Sequence, residues 1–233
     1  VPILLLAQGD PAARDLLKKT ILARYGVRPP VLESLQITFK GRARAKVGPM
    51  TMWVPVEAIG YFRFPDAMRW DFIVKAAGVQ LNSSTEAYDG SSYRNTRTTA
   101  SLSASQFSYS MQARLWAIAA ALLTPLGDDY VKLQAADESH FKALNTRINS
   151  VVECAVRPNQ TLESACVHCL NPDTGEDQLF TIRLSEALQS FDELILPQQM
   201  TAYWGEDAYF EIEPVSAEAN PTFPDSTFAI ANK

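Results

Sequence analysis

SASQFSYSMQARLWAIAAALLTP, residues 103–125, decides how the rest of this chain is read. Met111, Leu115, Ile118 and Leu122 fall at spacings of four, three and four, one stripe of a 3.6-residue helix. Trp116, Ala119, Ala120 and Leu123 widen that stripe until the second half is apolar nearly all round. A helix of that kind is buried on most sides. Pro125, with Gly127 just beyond, stops it, so a helix is expected over 105–124. The flanking sequence reads mostly as strands, which makes this the one long central helix of a β-rich chain.

Upstream, residues 33–47 carry the cleanest strand signal. Leu35, Ile37, Phe39, Ala43, Ala45 and Val47 alternate with Gln36, Thr38, Lys40, Arg42, Arg44 and Lys46. Period-two alternation of that length puts one face on the core and the cationic face in water. A turn at Gly48-Pro49 leads into a second extended stretch, Met50 to Phe64, expected to break or bulge near Pro55 and Gly60. After Pro65-Asp66, a third strand sets Met68, Trp70, Phe72 and Val74 against Arg69, Asp71, Ile73 and Lys75. Gly78 marks a turn, Val79 to Tyr88 a fourth strand, and Asp89-Gly90 a two-residue type I′ hairpin into a fifth strand, Tyr93 to Thr99. The polar stretch Thr96 to Ser105 then reaches the central helix. Before all of these, Asp10-Pro11 supplies an N-cap and a first-turn proline for a helix over 11–25, ended by Gly26 and Pro29-Pro30.

Downstream, Tyr130 to Leu133 and Leu144 to Val156 read as extended, with a turn or short helix between them that leaves His140 in a loop. A hairpin at Asn171 to Glu176, with Gly175 suited to a left-handed position, joins Cys166–Leu170 to Gln178–Leu184. A last hairpin pairs Leu194 to Trp204 with Ala208 to Ala217, and the tail from Asn220 to Phe228 carries two prolines and two phenylalanines. No 20–50-residue repeat is visible.

Composition bounds the function. The 233 residues are 47% apolar and 20% charged, with a net charge of −5, which suits a single domain over 1–233 and argues against a nucleic-acid partner. The longest apolar run, Leu115 to Leu123, falls far short of the roughly 20 residues of a spanning helix, so the chain is not expected to span a membrane. Val1 to Gln8 reads equally well as the tail of a secretory signal or as a buried N-terminal segment. No GxSxG, HExxH, P-loop or GxGxxG motif occurs. The two histidines lie in no recognisable motif, and Asp71, Glu86 and Asp89 are spaced so that no catalytic pair stands out. Glu57, among apolar residues, is either buried or turned to water by a bulge. No enzyme activity, cofactor or metal is therefore expected. The three cysteines admit a Cys154–Cys169 bridge or a Cys154–Cys166 bridge. A redox site at Cys166-Val167-His168-Cys169 lacks the helix N-terminus that would lower a thiol pKa. A zinc site there would need His168 and Cys169, which point to opposite faces of a strand.

Several segments, in this order, resemble those of the LolA/LolB-like family of bacterial periplasmic lipoprotein carriers. They are Phe64-Pro65-Asp66-Ala67-Met68-Arg69-Trp70-Asp71, Tyr88-Asp89-Gly90-Ser91-Ser92-Tyr93, Leu194-Ile195-Leu196-Pro197 with Met200-Thr201-Ala202-Tyr203, and Glu218-Ala219-Asn220-Pro221 with Asp225-Ser226-Thr227-Phe228. The resemblance covers most of residues 10–230. It implies an α+β fold: a strongly curved antiparallel sheet of about ten strands, a half-open β-barrel, with helices packed on its concave side. It also implies a periplasmic or outer-membrane-associated protein that binds a lipid or acyl chain between sheet and helices, with envelope proteins as further partners. The expected ligand-binding residues are Phe39, Met52, Trp70, Phe72, Leu115, Trp116 and Ile118. An envelope sensor or protein-interaction module is the alternative. A cysteine ahead of Asn-Pro-x-Thr-Gly favours Cys169 as the partner of Cys154 under the same resemblance.

Overall fold

Fifteen strands, where about ten were expected, and two α-helices form among the described residues. The computed structural model describes residues 5–47, 50–76, 79–96 and 103–229. The expected turns at Gly48-Pro49 and Gly78, most of the Thr96–Ser105 stretch and Val1 to Leu4 lie outside them. The elements are β1 (Gln8–Gly9), α1 (Pro11–Tyr25), β2 (Ser34–Val47), β3 (Met50–Arg63), β4 (Ala67–Ala76), β5 (Val79–Tyr88) and β6 (Tyr93–Asn95). Then come α2 (Ala104–Leu122), β7 (Val131–Ala135), β8 (His140–Asn145), β9 (Ser150–Val156), β10 (Leu162–Leu170), β11 (Asp177–Leu184), β12 (Leu188–Phe191), β13 (Leu194–Pro197), β14 (Met200–Trp204) and β15 (Asp207–Ala219).

Thirteen strands make one sheet in the order β1-β7-β8-β9-β10-β11-β14-β15-β2-β3-β4-β5-β6. Its pairings are antiparallel except β1 with β7. The long β2–β3 ladder follows from the alternation in residues 33–47, and it runs in unbroken register from Ser34↔Arg63 to Val47↔Met50. The break expected at Pro55 and Gly60 is absent. β4 ladders with β3 only from Val56 onward, so at Pro55 that side of β3 is an edge, where a missing N–H is tolerated. A Cβ on Gly60 would stand 2.6 Å from the Phe62 ring and 3.0 Å from the Trp70 ring; the glycine makes room for aromatic packing rather than for a bulge.

Other expectations shift at turns. The Asp89-Gly90 hairpin has a four-residue connection, because Tyr88 pairs with Tyr93. Asp89 closes it by accepting from the N–H groups of Ser91 and Ser92 at 2.9 and 2.8 Å. The stretch Leu144 to Val156 folds back on itself as β8 and β9, with Asn149 at a positive φ of 52° in the connecting turn. His140 belongs to β8 rather than to a loop. Leu194 to Trp204 divides as well: β13 pairs with β12 in a separate two-stranded hairpin, and only β14 joins β15.

The cationic row of β2 faces β15, where Lys40, Arg42 and Arg44 meet Glu213, Glu211 and Asp207 at 3.6, 2.5 and 3.3 Å. These exposed pairs contribute little to stability. Glu57 is not buried; it is half exposed and pairs with Lys75 at 2.7 Å.

The first helix is capped as the sequence indicates, and the second by a box that was not read from it. Asp10 accepts from the Ala12 N–H at 2.8 Å, with Pro11 behind it. Ser103 and Gln106 form a reciprocal capping box at the start of α2. At the far end of α2, α1 supplies the cap: Arg24 donates to the Ala121 carbonyl and the Tyr25 hydroxyl to the Leu122 carbonyl. A buried cation at a helix C-terminus also suits the helix dipole.

The buried side chains fall into two groups, and α2 belongs to both. Ala113, Trp116, Ala117, Ala119 and Ala120 pack with α1 and β7–β11. Met111, Leu115 and Leu122 pack with β2–β5 and β13. Ile118 touches both groups.

No disulfide forms, which corrects the expected bridge: Cys154, Cys166 and Cys169 are all free. Cys154 on β9 stands opposite Ala165 on β10, so Cys169 lies four residues farther along. At about 3.3 Å per residue that offset is ~13 Å, well beyond the ~4.4–6.8 Å between bridged Cα atoms. Cys166 stands opposite Glu153, one residue from Cys154, and successive strand residues face opposite sides.

Candidate functional site

Between the two buried groups lies an apolar cavity of about 100 Å³. Its sheet wall comes from β2, β3, β4, β5, β11, β14 and β15, and α2 and β13 complete it. Alternation builds that wall. Phe39 on β2, Trp70 and Phe72 on β4 and Phe210 on β15 all face inward, while Arg69 and Asp71 pair with each other at 3.0 Å on the opposite face of β4. The rings form a continuous run: Phe39 to Trp70 at 5.7 Å, Trp70 to Phe72 at 5.7 Å, Phe72 to Phe210 at 5.4 Å. Phe62 meets Trp70 edge to face at 5.2 Å, a favoured geometry for aromatic pairs. From the helix side, Ile118, Ala121 and Leu122 close the space, and Leu196 and Pro197 of β13 add a second cover.

Of the seven residues named from sequence, the cavity brings together Phe39, Trp70, Phe72 and Ile118. Three stand elsewhere. Trp116 is buried in the other group and its indole N–H donates to the Ala143 carbonyl at 3.0 Å. Leu115 is buried against β2–β5 without lining the space. Met52 is 46% exposed, near the Met50 end of β3.

The cavity also has a polar corner that sequence reasoning missed. Arg114 of α2 and Glu86 of β5 both line it, with Nη1 to Oε1 at 3.2 Å and both side chains under 10% exposed. The Tyr93 hydroxyl donates to Glu86 Oε2 at 3.3 Å and accepts from Asn95 Nδ2 at 2.8 Å. Burial works against the Arg114 charge, but the Glu86 carboxylate opposes it, and the guanidinium holds its proton above its ordinary range. Burial, reinforced by the Glu86 charge, also raises the Tyr93 pKa, so the phenol stays protonated. A signal existed in the sequence: Arg114 falls three residues after Met111 and four before Ile118, on the apolar stripe itself.

Among the described residues that line the cavity there is no serine, threonine, cysteine, lysine or histidine. Burial pushes the Cys169 thiol up to about 11, against the pull of Arg114 and Ser110, which makes it a poor nucleophile. Among the described residues no group of His, Cys, Asp or Glu is placed to hold a metal ion, and no helix is long and apolar enough to cross a membrane.

The chain matches no protein-family profile and no curated protein. Solved structures are similar to it at low identity. A LolA superfamily protein of Nitrosomonas europaea is 11% identical over 94% of this chain and 97% of its own, with a TM-score of 0.48. The LolA superfamily is the family that the sequence motifs resemble. A DUF1329 family protein of Desulfovibrio piger is 11% identical over 96% of this chain and 98% of its own, at a TM-score of 0.43.

Proposed function

We propose that this protein is a cell-envelope binding protein, not an enzyme, that holds a lipid or acyl chain in the cavity between its sheet and α2. The observation that carries the reading is that cavity: an aromatic and aliphatic space with one polar corner, walled by strands from both halves of the sheet. Small-molecule sites are mostly apolar concavities with a few placed polar groups. Phe39, Trp70, Phe72 and Ile118 are its ligand-facing residues.

The same reading takes the chain as one LolA-like domain whose sheet wraps α2 as a half-open barrel. Two contacts from one helical turn support the wrap. Ser110 donates to the Leu170 carbonyl on β10, and Arg114 reaches Glu86 on β5. Those strands are seven steps apart in the sheet order, ~34 Å in a flat sheet at about 4.8 Å per strand. Four helical residues rise only ~6 Å. A periplasmic or outer-membrane-associated location follows from the resemblance of the sequence motifs to envelope carriers.

The space of about 100 Å³ is below the ~300–1,000 Å³ usual for such sites, so a whole acyl chain needs a wall to move. The β12–β13 hairpin is suited to that. It shares no ladder with the main sheet, and its Leu196 and Pro197 sit on the cavity wall.

Native mass spectrometry and lipid extraction of protein purified from its own envelope test the reading. Co-purifying lipid that raises the melting temperature supports it; a lipid-free protein whose melting temperature no lipid changes defeats it. A second reading, an envelope sensor or protein-interaction module, is favoured by Met50 and Met52, 65% and 46% exposed on β3 and away from the cavity.

A further inference from the structure

The polar corner of the cavity restricts what can enter it. Among the described lining residues only Glu86 and Arg114 carry formal charge, and they are paired with each other. Arg114 Nη2 lies 2.6 Å from the Met111 sulfur, a weak acceptor. The Nε–H of the same guanidinium is buried without a partner. Tyr93 has its hydroxyl committed to Glu86 and Asn95. The corner is thus a charge-balanced pair with an unpartnered buried Nε–H, set against an apolar space.

An unpaired buried donor is costly and gains from any acceptor that reaches it. The charge of that acceptor matters. A carboxylate brought into the same corner would meet the Glu86 carboxylate at close range in a dry space. The Arg114 charge would already be shared, leaving one negative charge uncompensated. An ester or amide carbonyl accepts the same hydrogen bond and adds no charge.

We infer that the cavity selects neutral, ester- or amide-linked acyl chains over free fatty acids, with the ligand carbonyl taken by Arg114 Nε–H and Glu86 excluding a carboxylate. This rests on the cavity being the ligand site. It adds a headgroup rule to that site and gives the buried Glu86–Arg114 pair a task beyond packing.

The test uses the delipidated full chain and two brominated probes, dibromostearate and its methyl ester, at a pH where the acid is ionised. Bromine quenches a tryptophan that it touches, and Trp70 lines the cavity; Trp70→Phe identifies the part of the quenching that comes from the site. The methyl ester is expected to bind at least about tenfold more tightly than the acid. In Glu86→Gln, where the Arg114 charge is no longer shared, the preference is expected to reverse. The wild-type comparison stands by itself if that variant does not fold, as its melting curve will tell. Equal binding of the two probes, or tighter binding of the acid, overturns the headgroup rule and leaves the cavity as a ligand site. A folded Glu86→Gln that still prefers the ester removes Glu86 from the rule and so overturns it. Quenching of Trp70 by neither probe overturns the rule and the ligand-site reading together.

Discussion

Replacing Ala121 by leucine tests whether the space beneath α2 is a real void kept open for a ligand. Ala121 lines the cavity, is 6% exposed and lies one residue from the end of the helix. Leucine is nearly as good a helix former as alanine, so the backbone is indifferent to the change. The substitution adds three carbons, worth about 0.8 kcal/mol each when buried, ~2.4 kcal/mol in total. An independent route gives the same size: a cavity of about 100 Å³ at about 24 cal/mol per Å³ costs ~2.4 kcal/mol. Imperfect fit returns some of this, since overpacking costs ~1–3 kcal/mol. A net stabilisation of up to about 1.4 kcal/mol is expected, a rise in melting temperature of up to ~6 °C for a domain of this size. The assay is urea and thermal unfolding of delipidated protein, because a retained ligand would stabilise the wild type by mass action. Lipid retained by each protein is quantified in parallel and is expected to fall in the variant. Destabilisation beyond about 1 kcal/mol together with unchanged lipid retention would refute the reasoning: the void would be too small for leucine and not the place where lipid sits.

Glu86→Ala leaves the buried Arg114 charge uncompensated and is expected to cost about 3–5 kcal/mol, whereas Glu86→Leu with Arg114→Met should recover most of it; urea melts of the single and double variants check the pair. Three thiols should titrate in denaturant without reductant, and a count of one would reinstate a bridge. In the folded protein Cys169, with its pKa pushed up to about 11 by burial, should be modified slowly at neutral pH and about tenfold faster per pH unit toward that value, as mass spectrometry of alkylated peptides will show. Burial alone would raise Asp89, but the donors of Ser92 and Ser91 outweigh it and hold the carboxyl at about 2 against an ordinary 3.8. A depressed folded pKa means that its stabilisation is complete above about pH 4 and lost as pH falls toward 2. Asp89→Asn should therefore flatten the acid limb of a melting-temperature profile, and an unchanged limb would assign acid sensitivity to other carboxylates.

Local rules read well from sequence where a single rule governed the segment. Period-two alternation placed β2 within a residue of its observed start, Asp10-Pro11 placed the start of α1, and the Asn171–Glu176 turn came with Gly175 at a positive φ of 76°. The failures have physical causes. Thr146 to Asn149 carries no glycine or proline, so the β8–β9 turn rests on an asparagine in a left-handed conformation, which that residue tolerates better than most. Pro55 suggested a break because a sequence does not reveal where the neighbouring strand stops. For the cavity, residues that alternate on β2 and β4 could be foreseen. The Glu86–Arg114 pair could not, because it depends on β5 closing onto α2 across 28 residues of chain. The disulfide failed for a related reason: spacing in sequence does not give the register of β9 against β10.

The position of the cavity follows from how α2 is built. Its alanines, Ala113, Ala117, Ala119 and Ala120, face β7–β11, and small side chains let a helix sit close to what it packs on. Its larger residues, Met111, Leu115 and Leu122, face β2–β5, where Phe39, Phe62, Trp70 and Phe72 point inward. Rings of that size on a twisted surface hold the helix at a distance set by the bulkiest contacts, and where the contacts are short, at Ala121 and Ala58, space remains. A helix of uniform leucine would have filled it. The run Ala119-Ala120-Ala121 therefore serves both sides: close packing on one half of the sheet, and on the other a gap beside the only buried ion pair among the described lining residues. If that gap were only imperfect packing, filling it would be free of consequence for lipid binding. A protein that holds an acyl chain there would instead gain stability and lose its ligand together.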